Sequence, residues 1–552
     1  MNVKKFWIPV AWMLVLSMVL GACSSSGSSN GQLDNEVQVS AAGELPITQE
    51  KTTIRIMTTS NSYVEDFATN DFTKYLEDQT NIHIEWELVP ASSAVEKLNV
   101  VLASGDLPDV IMGMNVSNEQ QVAYGQQGTF IPLNTLIDKY GVNTKKMFEE
   151  RPLIKQSITS SDGNIYAMPS PNECYQCSMR QKMWIYQPWL DKLGMKMPTT
   201  TEEFYEVLKA FKTKDPNGNG KADEIPLSGA PIAQGANSVT SVENFLMNAF
   251  TYAPYTRIYL KDGKAAVPYN QEGWKEGLKY LHKLYEEGLI DPQALTQDST
   301  QLLKLGENPD VPILGASSAA NMSAITQLSG SSGRWLEYKA VPPLKGPDGT
   351  QVTPFDPYQV GAGAYVITSA SKNPDAAFRL ADLLYSEEMT LRSNYGVKDR
   401  DWKYVKDGEL GLNGKPALFK ELIKFGVTQN AHWAQMGPSF RTNDLRLGAA
   451  VDKDNPLEEI LYTETKDKYE PYKQETASIM PPLFFSADQT SEMADLSKTL
   501  WDYVNEMNAR FITGDQDVDA GWDTYVQTLD SMGLPRYLEI YQQVYDAREQ
   551  NN

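Results

Sequence analysis

Three cysteines and three histidines in 552 residues are too few for closed Cys/His zinc sites or for a disulfide scaffold. Basic residues are also scarce, 49 Lys and Arg against 71 Asp and Glu. The resulting net charge of −22 makes nucleic acid a poor partner. Gly-x-Ser-x-Gly, His-Glu-x-x-His and a phosphate-cradling Gly-Lys-Ser/Thr loop are all missing. After the N-terminus, no hydrophobic run approaches the ~20 residues of a membrane span. With 71 acids, a glycosidase-type carboxylate pair is not excluded by composition. What is present is globular: 41% apolar and 10% aromatic residues, in a chain long enough for more than one core.

The N-terminus carries Lys4 and Lys5, then an apolar run from Phe6 to Leu20, interrupted by Pro9. This is the charged-then-apolar pattern of a secretory signal. The run ends in Leu20-Gly21-Ala22-Cys23, which resembles the lipobox of bacterial lipoproteins. That resemblance implies cleavage before Cys23 and lipidation of its sulfur; a plain secretory signal ending in Cys is the alternative. Two acyl chains anchor stably where one does not. The Ser/Gly segment that follows, within 23–50, reads as a flexible tether.

Structure is expected from about residue 51. Thr53–Thr59 reads as a strand, Tyr63–Gln79 as a helix, and Ile82–Leu88 alternates as a strand does. Ser93-Ala-Val-Glu96 reads as a capping box opening a helix that stops at Gly105, and Asp109–Met112 as another strand. Strand, helix, strand, helix, strand predicts a parallel sheet with right-handed crossovers. Thr200 opens a helix to Phe211. Trp274, Leu278, Leu281 and Tyr285 stripe a second helix ended by Gly288. Val360–Thr368 reads as a strand and Asn373-Pro374 as a helix start; the final third is mostly helical.

Four stretches together resemble one family, the extracellular solute-binding proteins of ABC importers. They are Leu102–Val110 (LASGDLPDV), Met183–Gly194 with Pro198–Phe204, Gly361–Ala377, and Trp522–Val526 with Met532–Tyr541. Tyr186-Gln187 departs from the Arg-Lys that the large lipoprotein subgroup often carries. The resemblance implies an α/β, two-lobed periplasmic-binding-protein-like fold with parallel-rich sheets, hinge closure and extra C-terminal helices. It implies no chemistry on the ligand. Lobe one is expected at 51–182 and 345–386, and lobe two at 183–344 and 387–552, behind a signal at 1–22.

Asp215-Pro-Asn217-Gly-Asn219-Gly220-Lys221-Ala-Asp223-Glu224 alternates oxygen-bearing side chains, with glycine at the sixth position. EF-hand-type loops turn there. Pro226 stands where the usual final Glu belongs, leaving Asp223 and Glu224 to supply that contact. The loop resembles the shortened calcium loop of alginate-binding proteins. That assigns a structural Ca2+ to Asp215, Asn217, Asn219, Lys221 (by its carbonyl), Asp223 and Glu224. A polar Asn-Gly turn is the alternative. Asp515-Gln-Asp517-Val-Asp519 looks similar but has Ala520 at the sixth position, and acids before a helix explain it.

Sugars offer apolar faces to aromatic rings and polar rims to amides, carboxylates and cations. Asn61, Tyr63, Glu65 and Asp106 lie in or near turns of the first α/β units, where such sheets bind ligands. Tyr175 and Arg180 precede the expected entry into lobe two, whereas Trp184 and Trp189 read as core. Trp433 and Arg441 lie in a mixed loop, Arg441 being suited to a carboxylate or to a salt bridge; His432 reads as structural. Gly361 and Gly363 bring backbone near the cleft in the family. Cys174 and Cys177 suit a short disulfide outside the cytoplasm, or free thiols.

The expected molecule is a lipid-anchored monomer on the outer face of a bacterial membrane. It delivers an oligosaccharide, acidic ones included, to an ABC permease pair and is not an enzyme. The alternatives are ligand presentation to a membrane sensor, peptide binding, and a cell-surface polysaccharide hydrolase or lyase.

Overall fold

The computed structural model describes residues 37–231, 239–328, 330–405, 408–423 and 427–551. The signal, Cys23 and the first half of the expected tether therefore lie outside the described residues, while 37–50 is folded rather than tether: Ile47 is buried in the first core and Arg379 donates to Ser40 O and Glu44 O.

Two four-stranded sheets organise the described residues. In the first, β1 (Thr52–Thr59) runs parallel to β2 (Ile82–Val89) and β3 (Val110–Met112). Alternation explains β1: Ile54 and Ile56 are buried while Thr53 and Arg55 face water. The second sheet holds β4 (Met183–Tyr186), β5 (Ile225–Ser228), β6 (Leu314–Ser318) and β7 (Tyr338–Val341), in the order β5-β6-β4-β7. Only β5 and β6 pair in parallel; β4 is antiparallel to both neighbours. The expectation of parallel-rich sheets fails here. β4 arrives straight from the first core, outside any βαβ unit, so nothing compels a parallel partner. A return strand, β8 (Tyr365–Ile367), closes the first sheet antiparallel to β3.

The first helix begins later than the sequence pattern predicts. It spans Asp71–Thr80, capped by the Asn70 side chain, which accepts from Phe72 N. Residues 63–70 instead bond to a distant loop: Glu65 N donates to Gln429 O, and Val64 bridges Gln429. Ser93 makes no capping bond, because a 3-10 turn at Ala91–Ser93 precedes the helix Ala94–Ser104. That helix does stop at Gly105, in the left-handed conformation that glycine adopts at little cost. Thr200 caps Thr201–Thr213 as expected, and Trp274, Leu278 and Leu281 are buried on Glu272–Glu286. Asn373 makes no cap bond, but Pro374 does open the helix Pro374–Leu384.

Two large cores result. The first holds Ile54, Phe72, Met168, Tyr365 and Phe378. The second holds Trp184, Trp189, Phe211, Trp274 and Tyr338, and takes Leu500, Phe511 and Tyr525 from the long helices Ala487–Thr513 and Val518–Ser531. The expected return to the second lobe at residue 387 is too early. Met389 and Trp433 belong to the first core. Leu391, Trp402, Phe419 and Leu445 form a satellite beside it, joined where Trp433 N donates to Ser393 O. The chain rejoins the second core at Leu457 and Leu461.

Candidate functional site

The turn after β1 and the loop 429–441 meet at the C-terminal edge of the first sheet. Asn61 Oδ1 accepts from Tyr63 N, and Asn430 Oδ1 accepts from Asp66 N. Tyr63 is 40% exposed and lines a small cleft with Tyr395, His432 and Gln435; Glu65 stands exposed beside it. Burial drives the His432 pKa down to about 4, and its Nδ1 accepts from Ala434 N, so this histidine is structural.

Trp433 does not face this cleft. It is 1% exposed, its Nε1 donates to Thr73 Oγ1 at 2.9 Å, and its ring meets Phe72 and Trp86 edge-on. A side chain so packed is core, and its expected ligand role is withdrawn. Arg441 is buried too, donating to Gln435 Oε1 and Tyr395 Oη at 2.8 and 2.9 Å. Its guanidinium holds loop to helix, the structural alternative, although the partners are an amide and a phenol. Asp106 lies apart. It precedes β3, and β3 is parallel to β1, so Asp106 sits at the sheet edge opposite Asn61. Gly361 and Gly363 are demanded by packing: a Cβ would come within 2.8 Å of Ser170 O and 1.8 Å of Val116 O.

A cavity of about 350 Å³ lies where the chain passes between the cores. Its walls are the first crossing (Ser178, Arg180, Gln181), the return crossing (Phe355, Asp356, Tyr358), the loop Tyr252–Ile258 and the strap Ile479–Phe485. The strap reaches the first lobe, where Asn118 Nδ2 donates to Leu483 O. Arg180 lies over the Tyr255 ring at 5.0 Å. Gln181 fixes the aromatic loop: its Nε2 donates to Asn244 O and Ala253 O, and its Oε1 accepts from Tyr255 N. Asp356 N donates to Ser178 O, tying the two crossings together.

The turn before Arg180 is held from both sides. Cys174 and Cys177 are bonded as a disulfide, with Cα atoms 5.1 Å apart. Cys174 N donates to Gln359 Oε1, and Gln359 Nε2 returns a bond to Cys174 O. Fully buried Lys182 donates to the carbonyls of Gln176 and Met179. Burial, then repulsion from Arg180, brings its pKa down to about 7. Tyr175 is turned away from the cavity: its hydroxyl donates to Glu470 at 2.6 Å, and its ring packs on Tyr462. Trp184 and Trp189 are core, as expected.

The acidic loop 215–224 is laced by its own bonds. Asp215 accepts from Gly218 N and Gly220 N, Asn217 from Asn219 N, and Asn219 from Lys221 N. The Asp223 carboxylate accepts from the amides of Asn217 and Asn219, which hold its pKa down. Burial, then backbone bonds and the charges of Asp215 and Asp223, act on Glu224, with a net upward shift. Among the described residues, no three His, Cys, Asp or Glu side chains are gathered as metal ligands. The donors are nevertheless all oxygens, which suits a hard cation once the two Asn amides turn their oxygens inward.

Sequence reasoning missed Tyr252, Tyr255, Phe355, Asp356 and Tyr358. A usable signal existed in Tyr252-Ala-Pro-Tyr255 and Phe355-Asp-Pro-Tyr358, two Pro-punctuated aromatic pairs outside any periodic element.

Comparisons with known proteins agree with this architecture. A family model described as bacterial extracellular solute-binding protein matches residues 57–390. The fructooligosaccharide ABC transporter substrate-binding protein FusA of Streptococcus pneumoniae is 29% identical, with 100% of each chain covered. Lipoprotein LipO of Bacillus subtilis is 27% identical over 77% of this chain and 80% of its own. Structures of FusA with kestose, and of its EF-hand mutant with fructo-nystose, superpose at TM-score 0.72 and 28% identity, covering 91% of this chain and 100% of theirs. The alginate-binding protein AlgQ2 shares the fold at TM-score 0.65 and 24% identity, covering 90% and 99%.

Proposed function

The chain belongs to the family of bacterial extracellular solute-binding proteins, and from that premise we propose that it captures an oligosaccharide outside the cell and delivers it to the permease pair of an ABC transporter. The observation that carries this reading is the cavity between the cores. Tyr252, Tyr255 and Phe355 offer ring faces, and Arg180 and Asp356 offer donors and acceptors, which is the chemistry a sugar requires. FusA and LipO are the relatives that support it.

Two of the cavity's walls are the crossings themselves, so a ligand there contacts the segments that bend when the lobes close. Ligand favours closure only by its differential affinity for the closed state. Lipidation at Cys23 holds the protein at the outer face of the membrane, and the tether lets the monomeric body reach the permeases. Calcium belongs to the same reading, held by Asp215, Asn217, Asn219, the Lys221 carbonyl, Asp223 and Glu224. Its two positive charges would offset most of the repulsion among three neighbouring carboxylates and stiffen the turn. The EF-hand named for the FusA mutant supports this part.

The test is a thermal-shift screen of the purified chain against neutral and uronate oligosaccharides, with and without calcium. A saturable shift with one sugar class, and no sugar breakdown, is the expected result. Turnover would make the protein an enzyme, and no shift with any sugar would move the ligand to peptides or the role to sensing.

A further inference from the structure

A second cavity of about 750 Å³ adjoins the first, and Tyr252 lines both. The shared wall is wider than one residue. Three chain segments, 250–262, 347–358 and 474–485, each run from the wall of one cavity into the wall of the other. Between the cavities two of these are laced together at Thr353, whose N donates to Tyr472 O while Gln474 N donates to Thr353 O. The rings of Tyr252 and Tyr259 meet edge-on at 5.3 Å along the third.

The two ends differ in charge. Arg180 and Asp356 line the first end. At the second, Glu276 is paired with Lys279 at 2.9 Å and Glu272 with Lys275 at 3.9 Å, which leaves Asp262 and Asp348 against Lys261. The carboxylates accept hydrogen bonds from hydroxyl groups, and they repel anions. Phe250, Tyr252 and Tyr259 supply apolar surface between them.

We propose that the two cavities are one binding groove, and that it takes an uncharged oligosaccharide long enough to run from Arg180 past Tyr252 to the carboxylates of the second cavity. This rests on the oligosaccharide-binding reading and adds length and charge to it. Each cavity alone is within the size range of a small-ligand site, so a short sugar fills one and a longer one is needed to span both.

The experiment is calorimetric titration of the full chain with neutral oligosaccharides of increasing length, kestose and nystose first and then the other neutral classes, beside oligogalacturonates. The wild-type chain is expected to gain at least tenfold in affinity from the trisaccharide to the longer members of the class it binds. In the double variant Asp262→Asn/Asp348→Asn, both residues being exposed, this gain is lost and uronate binding improves. Affinity independent of length, with the double variant behaving as wild type, overturns the groove and leaves the oligosaccharide reading intact. Preference for uronates in the wild-type chain overturns the charge assignment. Absence of binding to every oligosaccharide overturns both readings together.

Discussion

Two regions of this molecule bring together aromatic rings, amides and an arginine, and they use them in opposite ways. Around Trp433 and Arg441 each group is spent on the protein. The indole NH is held by Thr73, the ring is enclosed by Phe72 and Trp86, and the guanidinium is held by Gln435 and Tyr395. Around Arg180 the same residue types form the walls of an open space, and the anchoring is done one layer behind them by Gln181, Lys182, Gln359 and the Cys174–Cys177 bond. Composition is therefore no guide to a ligand site. What distinguishes one is that the polar bonds of its supporting layer leave the faces of the wall uncovered.

The sharpest way to break this contrast is Trp433→Ala. Removing a fully buried indole costs about 3–5 kcal/mol by the lost transfer energy and the cavity left behind. Urea denaturation is expected to show that loss, with ligand affinity of the folded fraction little changed. A stable variant with lost affinity would place Trp433 in the site after all.

Next comes the loop 215–224. A ligand at a hundredfold excess over its dissociation constant stabilises by about 2.7 kcal/mol. Calcium should raise the melting temperature by a corresponding amount, EDTA should reverse this, and Asp215→Ala should abolish the difference. A melting curve indifferent to EDTA would leave the loop as a hydrogen-bonded turn.

Lys182 gives a pH-dependent effect. Its folded pKa is about 7 and its unfolded value 10.5, so between these limits the unfolded chain holds a proton that the folded chain has released. Stability from this group therefore rises with pH across that window, by up to about 1.4 kcal/mol per pH unit. The difference between wild type and Lys182→Met, followed by denaturation from pH 7 to 10, should show that slope. Parallel curves would mean that Lys182 keeps an ordinary pKa.

Much of the scaffold was legible because it obeys short-range rules. The alternation of Ile82, Ile84 and Trp86, the stop at Gly105 and the Thr200 cap all concern residues within a few positions of one another. The site was less legible because its order is long-range. Tyr255 is placed by Gln181, and Asp356 by Ser178, across long stretches of chain. Asp106 was misplaced for a related reason: a turn's composition does not reveal at which edge of a sheet it lies. Residues 387–445 read as part of the helical final third, yet the bond from Trp433 Nε1 to Thr73 Oγ1 and the one from Arg441 N to Pro171 O bind them to the first core.

The smallest expected effect tests the supporting layer itself. Tyr255→Ala removes the ring beneath Arg180 but leaves its backbone N bound to Gln181, so the loop keeps its place. An exposed or partly exposed cation–π pair is worth about 0.5–1 kcal/mol, and a ring face offered to a sugar adds to that. The variant should lose about tenfold in oligosaccharide affinity, with a modest change in melting temperature. Gln181→Ala should lose at least as much although it removes no ring, because it releases the backbone of the whole aromatic loop. Were Tyr255→Ala damaging and Gln181→Ala harmless, the loop would be set by its own sequence, and the distinction between wall and supporting layer would fail.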